Sequence, residues 1–297
     1  MADEAGGTMS HELEQSDELQ EELAQTEELA CIETELLLEG IYRKYGFDFR
    51  HYLRSSLLRR IYNRMSLDDL PTITSLLNKV LHEPDYFGVL LNDFSIKVTE
   101  MFRDPEFFYA LRRDVIPLLK DLPEIRIWSA GCATGEEVYS LGILLHEEGL
   151  LDRTKLYATD MSEQAIQTAK QGKFPLKRMQ SFTKNYMQAG GDKEFSAYYT
   201  ADHEYAHFHP FMKEHLVFAQ HNLATDCSIN EFHVVLCRNV LIYFDSVLQH
   251  RVHGLIHDSL SPSGILALGA KESFLTPFKS RYEVLSATDR IFRKLED

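Results

Sequence analysis

Apolar positions change their spacing along this chain near residue 125. From Glu33 to about Leu91 they recur at helical spacing, with short breaks at Gly46, Asp68–Pro71 and Glu83–Pro84, which predicts a small all-α domain. Within it, Ser55 or Ser56 is placed to cap a helix over Leu57–Met65. At about 100° per residue, Leu58, Ile61, Tyr62 and Met65 share one face of that helix, and Arg59, Arg60 and Arg64 share the other. From Ile125 onward, short apolar runs alternate with amphipathic stretches. The candidate strands are Ile125–Ala130, Lys155–Thr159, Leu216–Gln220, His233–Cys237 and Gly264–Leu268, with helices after the first, second and fourth. That alternation predicts a mostly parallel sheet covered by helices on both faces, an α/β fold. Tyr282–Ala287 and Arg290–Lys294 read as a final hairpin. Residues 174–215, rich in aromatics around Gly190-Gly191, break the alternation and predict an insert, with its body at about 182–215. No repeat at solenoid spacing is visible.

Charge changes this picture at one end. The 297 residues carry a formal net charge of −15. Between Met1 and Glu39 stand 13 carboxylates and no Lys or Arg, which leaves about −2 for residues 40–297. Residues 1–32, Glu/Gln/Ser-rich with sporadic Leu, are therefore expected to form an acidic, disordered arm. The expected domains are this arm, a helical domain over 33–95 and an α/β domain over 96–297. Arg43–Arg64 holds seven cations against one acid, Asp48. In a chain that is otherwise not basic, Arg59, Arg60 and Arg64 point to docking of an acidic partner. A nucleic-acid binder is disfavoured, because no basic tract interleaved with aromatics appears. No run approaches the ~18 apolar residues of a membrane span, and the first 30 positions lack a basic stretch followed by an apolar one. A cytoplasmic monomer that does not insert into membranes is expected. Cys31, Cys132, Cys227 and Cys237 are widely spaced with no CxxC pair, which argues against disulfides and a zinc site. His203, His207 and His209 sit close together but lack a visible third-ligand geometry, so no metal is expected.

The sharpest chemical signal is Ile125-Arg-Ile-Trp-Ser-Ala-Gly-Cys-Ala-Thr-Gly-Glu-Glu137. A strand ends in a loop with Gly131 and Gly135 and a helix follows, so backbone can approach a ligand at the strand's carboxyl edge. The spacing is G-x-x-x-G, and Glu136 and Glu137 follow it directly. A pyrophosphate would be repelled there, whereas a cationic or neutral nucleoside fits. The second strand ends at Asp160, an acid placed to accept both ribose hydroxyls. Asp160 alone suits a nicotinamide cofactor equally, but together with that loop it favours S-adenosylmethionine. The third and fourth strands end in His221-Asn222-Leu223 and Cys237-Arg238-Asn239, which places Asn222 and Asn239 to read an adenine or an amino-acid moiety. Tyr243 follows at the rim.

Five segments in order carry a resemblance: Val98-Thr-Glu-Met-Phe-Arg-Asp104, Trp128-Ser-Ala-Gly-Cys-Ala-Thr-Gly-Glu-Glu137, Ala158-Thr-Asp160, His221-Asn-Leu223 and Cys237-Arg-Asn-Val-Leu-Ile-Tyr-Phe244. Over about residues 35–297 the chain resembles the CheR-type chemotaxis receptor methyltransferases. The resemblance implies a class I S-adenosylmethionine-dependent methyltransferase fold, Rossmann-like with a seven-stranded sheet and a small β insert, behind a small all-α domain. It implies methyl transfer to glutamate carboxylates of a chemoreceptor, or a related signalling protein, docked through an acidic helical region, with S-adenosylhomocysteine as the other product. Carried over by position, Thr99, Arg103, Glu137, Asp160, Asn222, Leu223, Arg238 and Asn239 would line the cofactor site, and Arg103 and Tyr243 would lie closest to the reacting methyl. Lys97 stands where the family often has Asn. Two alternatives stay open: a methyltransferase for a small-molecule carboxylate, and a non-catalytic cofactor-sensing or scaffold module.

Overall fold

In the computed structural model, residues 5–95 and 99–296 are described, with side chains from residue 25 onward. Contacts divide the chain into two units, one of residues up to Arg50 with Arg54–Leu90, the other of His51–Leu53 with residues from Leu91 on.

The first unit is helical. Its helices are α1 (Ala5–Tyr45), α2 (Arg54–Leu67), α3 (Ile73–His82) and the start of α4 (Tyr86–Phe94). Breaks fall at Gly46, at 68–72 and at 83–85, as the sequence predicts. The backbone is helical from Ala5, so α1 begins within the segment expected as an acidic arm. Ala, Leu, Glu and Gln are strong helix formers, and no proline interrupts Ala5–Tyr45. Thr72 caps α3 by accepting from the Ser75 N–H at 3.0 Å. Tyr45 stacks on Phe87 with ring centroids 4.1 Å apart, and Leu37, Ile41, Ile61, Leu76 and Val80 are buried.

The buried stripe of α2 is Leu57, Ile61 and Met65, while Tyr62 is exposed. The face expected from Leu58 and Tyr62 is thus rotated by one residue, because adjacent Leu57 and Leu58 fit a helical period almost equally well. The rotation separates the three arginines. Arg59 points outward, Arg60 is half-buried and donates to Ser56 Oγ at 3.1 Å, and Arg64 lies beside the stripe, paired with Asp68 at 3.2 Å. They do not form one exposed face.

The second unit opens with α5 (Pro105–Ala110), a π-helical turn over Leu111–Val115 and α6 (Ile116–Leu119), then enters the sheet. The elements that follow are β1 (Ile125–Ala130), α7 (Glu136–Glu147), β2 (Thr154–Asp160), α8 (Glu163–Gln171), β3 (Lys173–Pro175), α9 (Met179–Gln188), β4 (Tyr199–Ala201), β5 (Tyr205–Phe208), α10 (Pro210–Lys213), β6 (Leu216–Gln220), β7 (Phe232–Cys237), α11 (Ser246–Ser259), β8 (Leu260–Leu268), α12 (Thr276–Lys279), β9 (Tyr282–Ser286) and β10 (Ile291–Lys294). Seven strands order as β6-β2-β1-β7-β8-β10-β9, parallel from β6 to β8 and antiparallel through β10 and β9. The chain runs outward from β1 through β2 to β6 and returns to β7 on the other side of β1. The connection therefore reverses at the carboxyl edge of β1, where open α/β sheets bind ligands.

Both faces of the sheet are covered, so its central strands are continuously apolar. In β7, Val234 and Leu236 join the core with Val138, Leu141 and Ile127, whereas Val235 and Cys237 join that with Trp128, Val252 and Ile256. The insert is a three-stranded antiparallel sheet ordered β3-β5-β4, and it opens at Lys173, earlier than its expected body at 182. Three-residue strands are too short to show a period. Phe174, Phe182, Tyr186, Phe195 and Phe208 pack within the same core as the sheet, so the insert has no separate core. Among the described residues, no helix is long and apolar enough to cross a membrane.

Candidate functional site

A cleft lies over the carboxyl ends of β1, β2, β6 and β7, with about 910 Å³ of empty space including its open mouth. Thr99, Arg103, Gly131, Glu137, Asp160, Asn222, Leu223, Arg238, Asn239 and Tyr243, the cofactor and reaction residues expected from sequence, all line it. Lys97 and Val98 lie outside the described residues.

The β1 loop is held by its own donors. Gly131 N–H and Cys132 N–H donate to Thr159 O at 2.8 and 2.9 Å, Ala133 N–H to Asp160 Oδ2 at 3.0 Å, and Gly135 N–H to Cys132 O at 3.0 Å. A phosphate-binding glycine loop needs such N–H groups turned to the ligand, and here they are engaged within the protein. Gly131 has φ +80°, and a Cβ there would stand 2.5 Å from Val240 Cγ2, so only glycine lets the β1 and β7 loops meet.

The two adjacent glutamates part company. Glu137 lines the cleft, accepting from Ser129 Oγ at 3.0 Å and from Arg238 at 3.0 Å. Glu136 is buried outside the cleft lining, bonded by Thr134 Oγ1 at 2.6 Å and Arg178 at 2.7 Å, and burial pushes its carboxyl up. Asp160 Oδ1 accepts Ser162 N–H at 2.9 Å, while Ser162 itself caps α8 through Ala165 N–H at 3.2 Å. Asp160 is therefore not the cap, and its carboxylate lines the cleft. Asn222 Oδ1 accepts Ala224 N–H at 3.0 Å and closes a tight turn at the end of β6.

Arg238 has its side chain 2% exposed and links two segments: it donates to Glu137 Oε2 at 3.0 Å and to Asp104 Oδ2 at 2.8 Å, over the Phe107 ring at 3.8 Å. Its two terminal nitrogens fix Glu137 and the residue after Arg103, while its buried Nε has no hydrogen-bond partner. Arg103 stands between two left-handed residues, Phe102 at φ +50° and Asp104 at φ +55°. Such backbone is rare for residues with a side chain, and Phe102 is held in it by donating its N–H to Ser140 Oγ at 2.8 Å.

Sequence reasoning missed two residues. Glu272, 3% exposed, accepts N–H bonds from Asn239 (2.9 Å), Val240 (2.8 Å), Ile242 (3.3 Å) and Gly269 (2.6 Å). It shapes the turn in which Asn239 takes φ +61°, and burial raises its carboxyl while these four donors oppose the rise. The acid three residues beyond Gly269, at the end of an apolar strand, was its only sequence signal. Tyr52 also lines the cleft, from a segment far upstream with no signal at all.

The geometry disfavours a pyrophosphate and admits a nucleoside. Glu137 and Asp160 face the cleft together with Arg103 and Arg238, and the four glycine-loop donors named above are engaged within the protein. Comparison with known proteins agrees: the profile of the CheR methyltransferase all-alpha domain matches residues 32–95, and that of the CheR methyltransferase SAM-binding domain matches residues 97–291. The chain belongs to the CheR methyltransferase family. Its cofactor is S-adenosylmethionine, as the matched domain states. A Pseudomonas putida relative, provisionally named methyltransferase Cher3, is 47% identical over 264 residues, covering 89% of this chain and 97% of that one. Chemotaxis protein methyltransferase 2 of Pseudomonas aeruginosa is 30% identical, covering 80% and 85%. The Escherichia coli chemotaxis protein methyltransferase is 26% identical, covering 85% and 88%. The family assignment fits a class I methyltransferase fold with a mostly parallel seven-stranded sheet.

Proposed function

We propose that this CheR-family methyltransferase methylates glutamate side chains of a chemoreceptor or related signalling protein in the cytoplasm, forming methyl esters. The observation that carries the reading is that ten residues from five separated motifs line one cleft, two of them carboxylates. Thr99, Gly131, Glu137, Asp160, Asn222, Leu223 and Asn239 are assigned to hold the cofactor, with Arg238 fixing Glu137. S-adenosylmethionine supplies, when bound, an electrophilic methyl on a positively charged sulfur.

A glutamate with an ordinary pKa of about 4.3 is ionised at pH 7 and needs no general base. One carboxylate oxygen takes the methyl as the carbon–sulfur bond breaks, and no proton moves. Opposite charges cancel in this step, so exclusion of water favours it and positioning supplies the remainder. Arg103 is assigned to orient the incoming carboxylate. Tyr243, at the rim beyond the Asn239 turn, is assigned to hydrogen-bond it. Arg59 and Arg60 of α2 are the docking cations for the acidic helical region of the partner; Arg64 is committed to Asp68.

The test is transfer of a labelled methyl from S-adenosylmethionine to a cytoplasmic receptor fragment. The expected product is an alkali-labile label, released as methanol, that disappears with Arg103→Ala. An alkali-stable label, or equal labelling of small carboxylic acids without protein, would contradict the reading.

A further inference from the structure

We propose that Tyr52 is a cofactor-contacting residue, so that the S-adenosylmethionine site is completed by chain lying before the matched SAM-binding domain. The inference rests on the cofactor reading of the cleft. Residues 51–53 form a short strap in the same unit as the sheet. Leu53 N–H donates to Tyr243 O at 2.8 Å and Asp245 N–H donates to His51 O at 2.9 Å, which pairs the strap antiparallel with residues 243–245 around the Tyr52–Phe244 bridge. His51 Nδ1 lies 2.8 Å from Asp245 Oδ2 and closes the pair.

Tyr52 is thereby fixed at both ends. Its ring meets Phe244 edge-on with centroids 4.9 Å apart, and its hydroxyl donates to Met161 Sδ at 3.5 Å. Phe244 belongs to the turn after β7, and Met161 follows Asp160 at the end of β2. Because β7 and β2 flank β1, the ring bridges the two sides of the cleft at the carboxyl end of β1. Charge in the cleft is carried by Glu137, Asp160, Arg103 and Arg238; Tyr52 adds a broad aromatic surface to the lining. A flat uncharged base suits such a wall. The same strap holds the backbone of Tyr243, so one segment serves both the cofactor and the rim.

The full-length protein with S-adenosylhomocysteine as probe tests this by calorimetry and hydrogen exchange. Tyr52→Ala is expected to weaken binding by about fivefold or more, and Tyr52→Phe to stay within about twofold, because the ring makes the contact. In the wild type, the probe should slow exchange of the Leu53 and Asp245 amides severalfold, and Tyr52→Ala should remove that protection. Wild-type affinity in Tyr52→Ala, equal losses in both variants, or amides indifferent to the probe would overturn the proposal. Absence of binding to the wild type would overturn the cofactor reading of the cleft, and this inference with it.

Discussion

Glu272 shows how a residue that need not touch a ligand can set a site. Its carboxylate gathers N–H groups from both sides of the sheet edge, Asn239, Val240 and Ile242 on one and Gly269 on the other. Glu272→Gln replaces one acceptor oxygen with an NH2 group facing donors. The expected outcome is a loss of about 1–3 kcal/mol in denaturant unfolding, with weaker S-adenosylmethionine binding as the Asn239 turn relaxes. Unchanged stability and affinity would show that the turn holds itself. This residue and Tyr52 were not legible in the sequence, since one acts through backbone donors and the other through a three-residue pairing remote along the chain. Eight of the ten legible residues lie at or after the ends of β1, β2, β6 and β7, where fold topology converts position in sequence into position in the cleft, and Thr99 and Arg103 come from the segment before α5.

Elements differ in how plainly the sequence declares them. β1 and β6 fall where expected, because each is a short apolar run bounded by turn residues, and β2 and β7 are extended by one or two residues. The insert strands were hidden by brevity, and α2 by the adjacent leucines that rotate its buried stripe. That rotation carries a prediction. Charge reversal at Arg59 and Arg60 together should raise KM for the acidic receptor fragment about tenfold at low salt, less at high salt, with kcat retained. An unchanged KM would remove α2 from docking.

Helix α11 carries a second prediction. His253 is 1% exposed, with ring centroids 5.3 Å from Phe274 and 5.5 Å from Phe278, and burial lowers its pKa to about 4. Above pH ~6.5 both folded and unfolded forms are neutral, so stability is unaffected. Between pH 6.5 and 4 the unfolded chain takes a proton that the folded one refuses, and stability falls by up to about 3 kcal/mol. His253→Leu should flatten this part of the unfolding free energy against pH. Parallel curves for the two proteins would show that His253 titrates normally.

At the scale of the whole molecule, one arrangement connects sequence to chemistry. The chain runs outward from β1 and returns beside it, which brings the ends of four strands to one cleft. The β1 loop spends its donors on Thr159 and Asp160, and Glu137 and Asp160 leave acid at the walls. The class of fold was legible because alternating strands and helices admit few topologies. The helical backbone of α1 was not, since low apolar content and high helix propensity point in opposite directions. The central claim, that this cleft holds S-adenosylmethionine, is tested most directly by calorimetric titration of the cofactor into the wild type and Asp160→Ala, with NAD as the control. The account predicts binding of S-adenosylmethionine alone, weakened about tenfold or more by the substitution, a loss of roughly 1.4 kcal/mol or greater. Equal affinity in the two proteins, or preference for NAD, would contradict it.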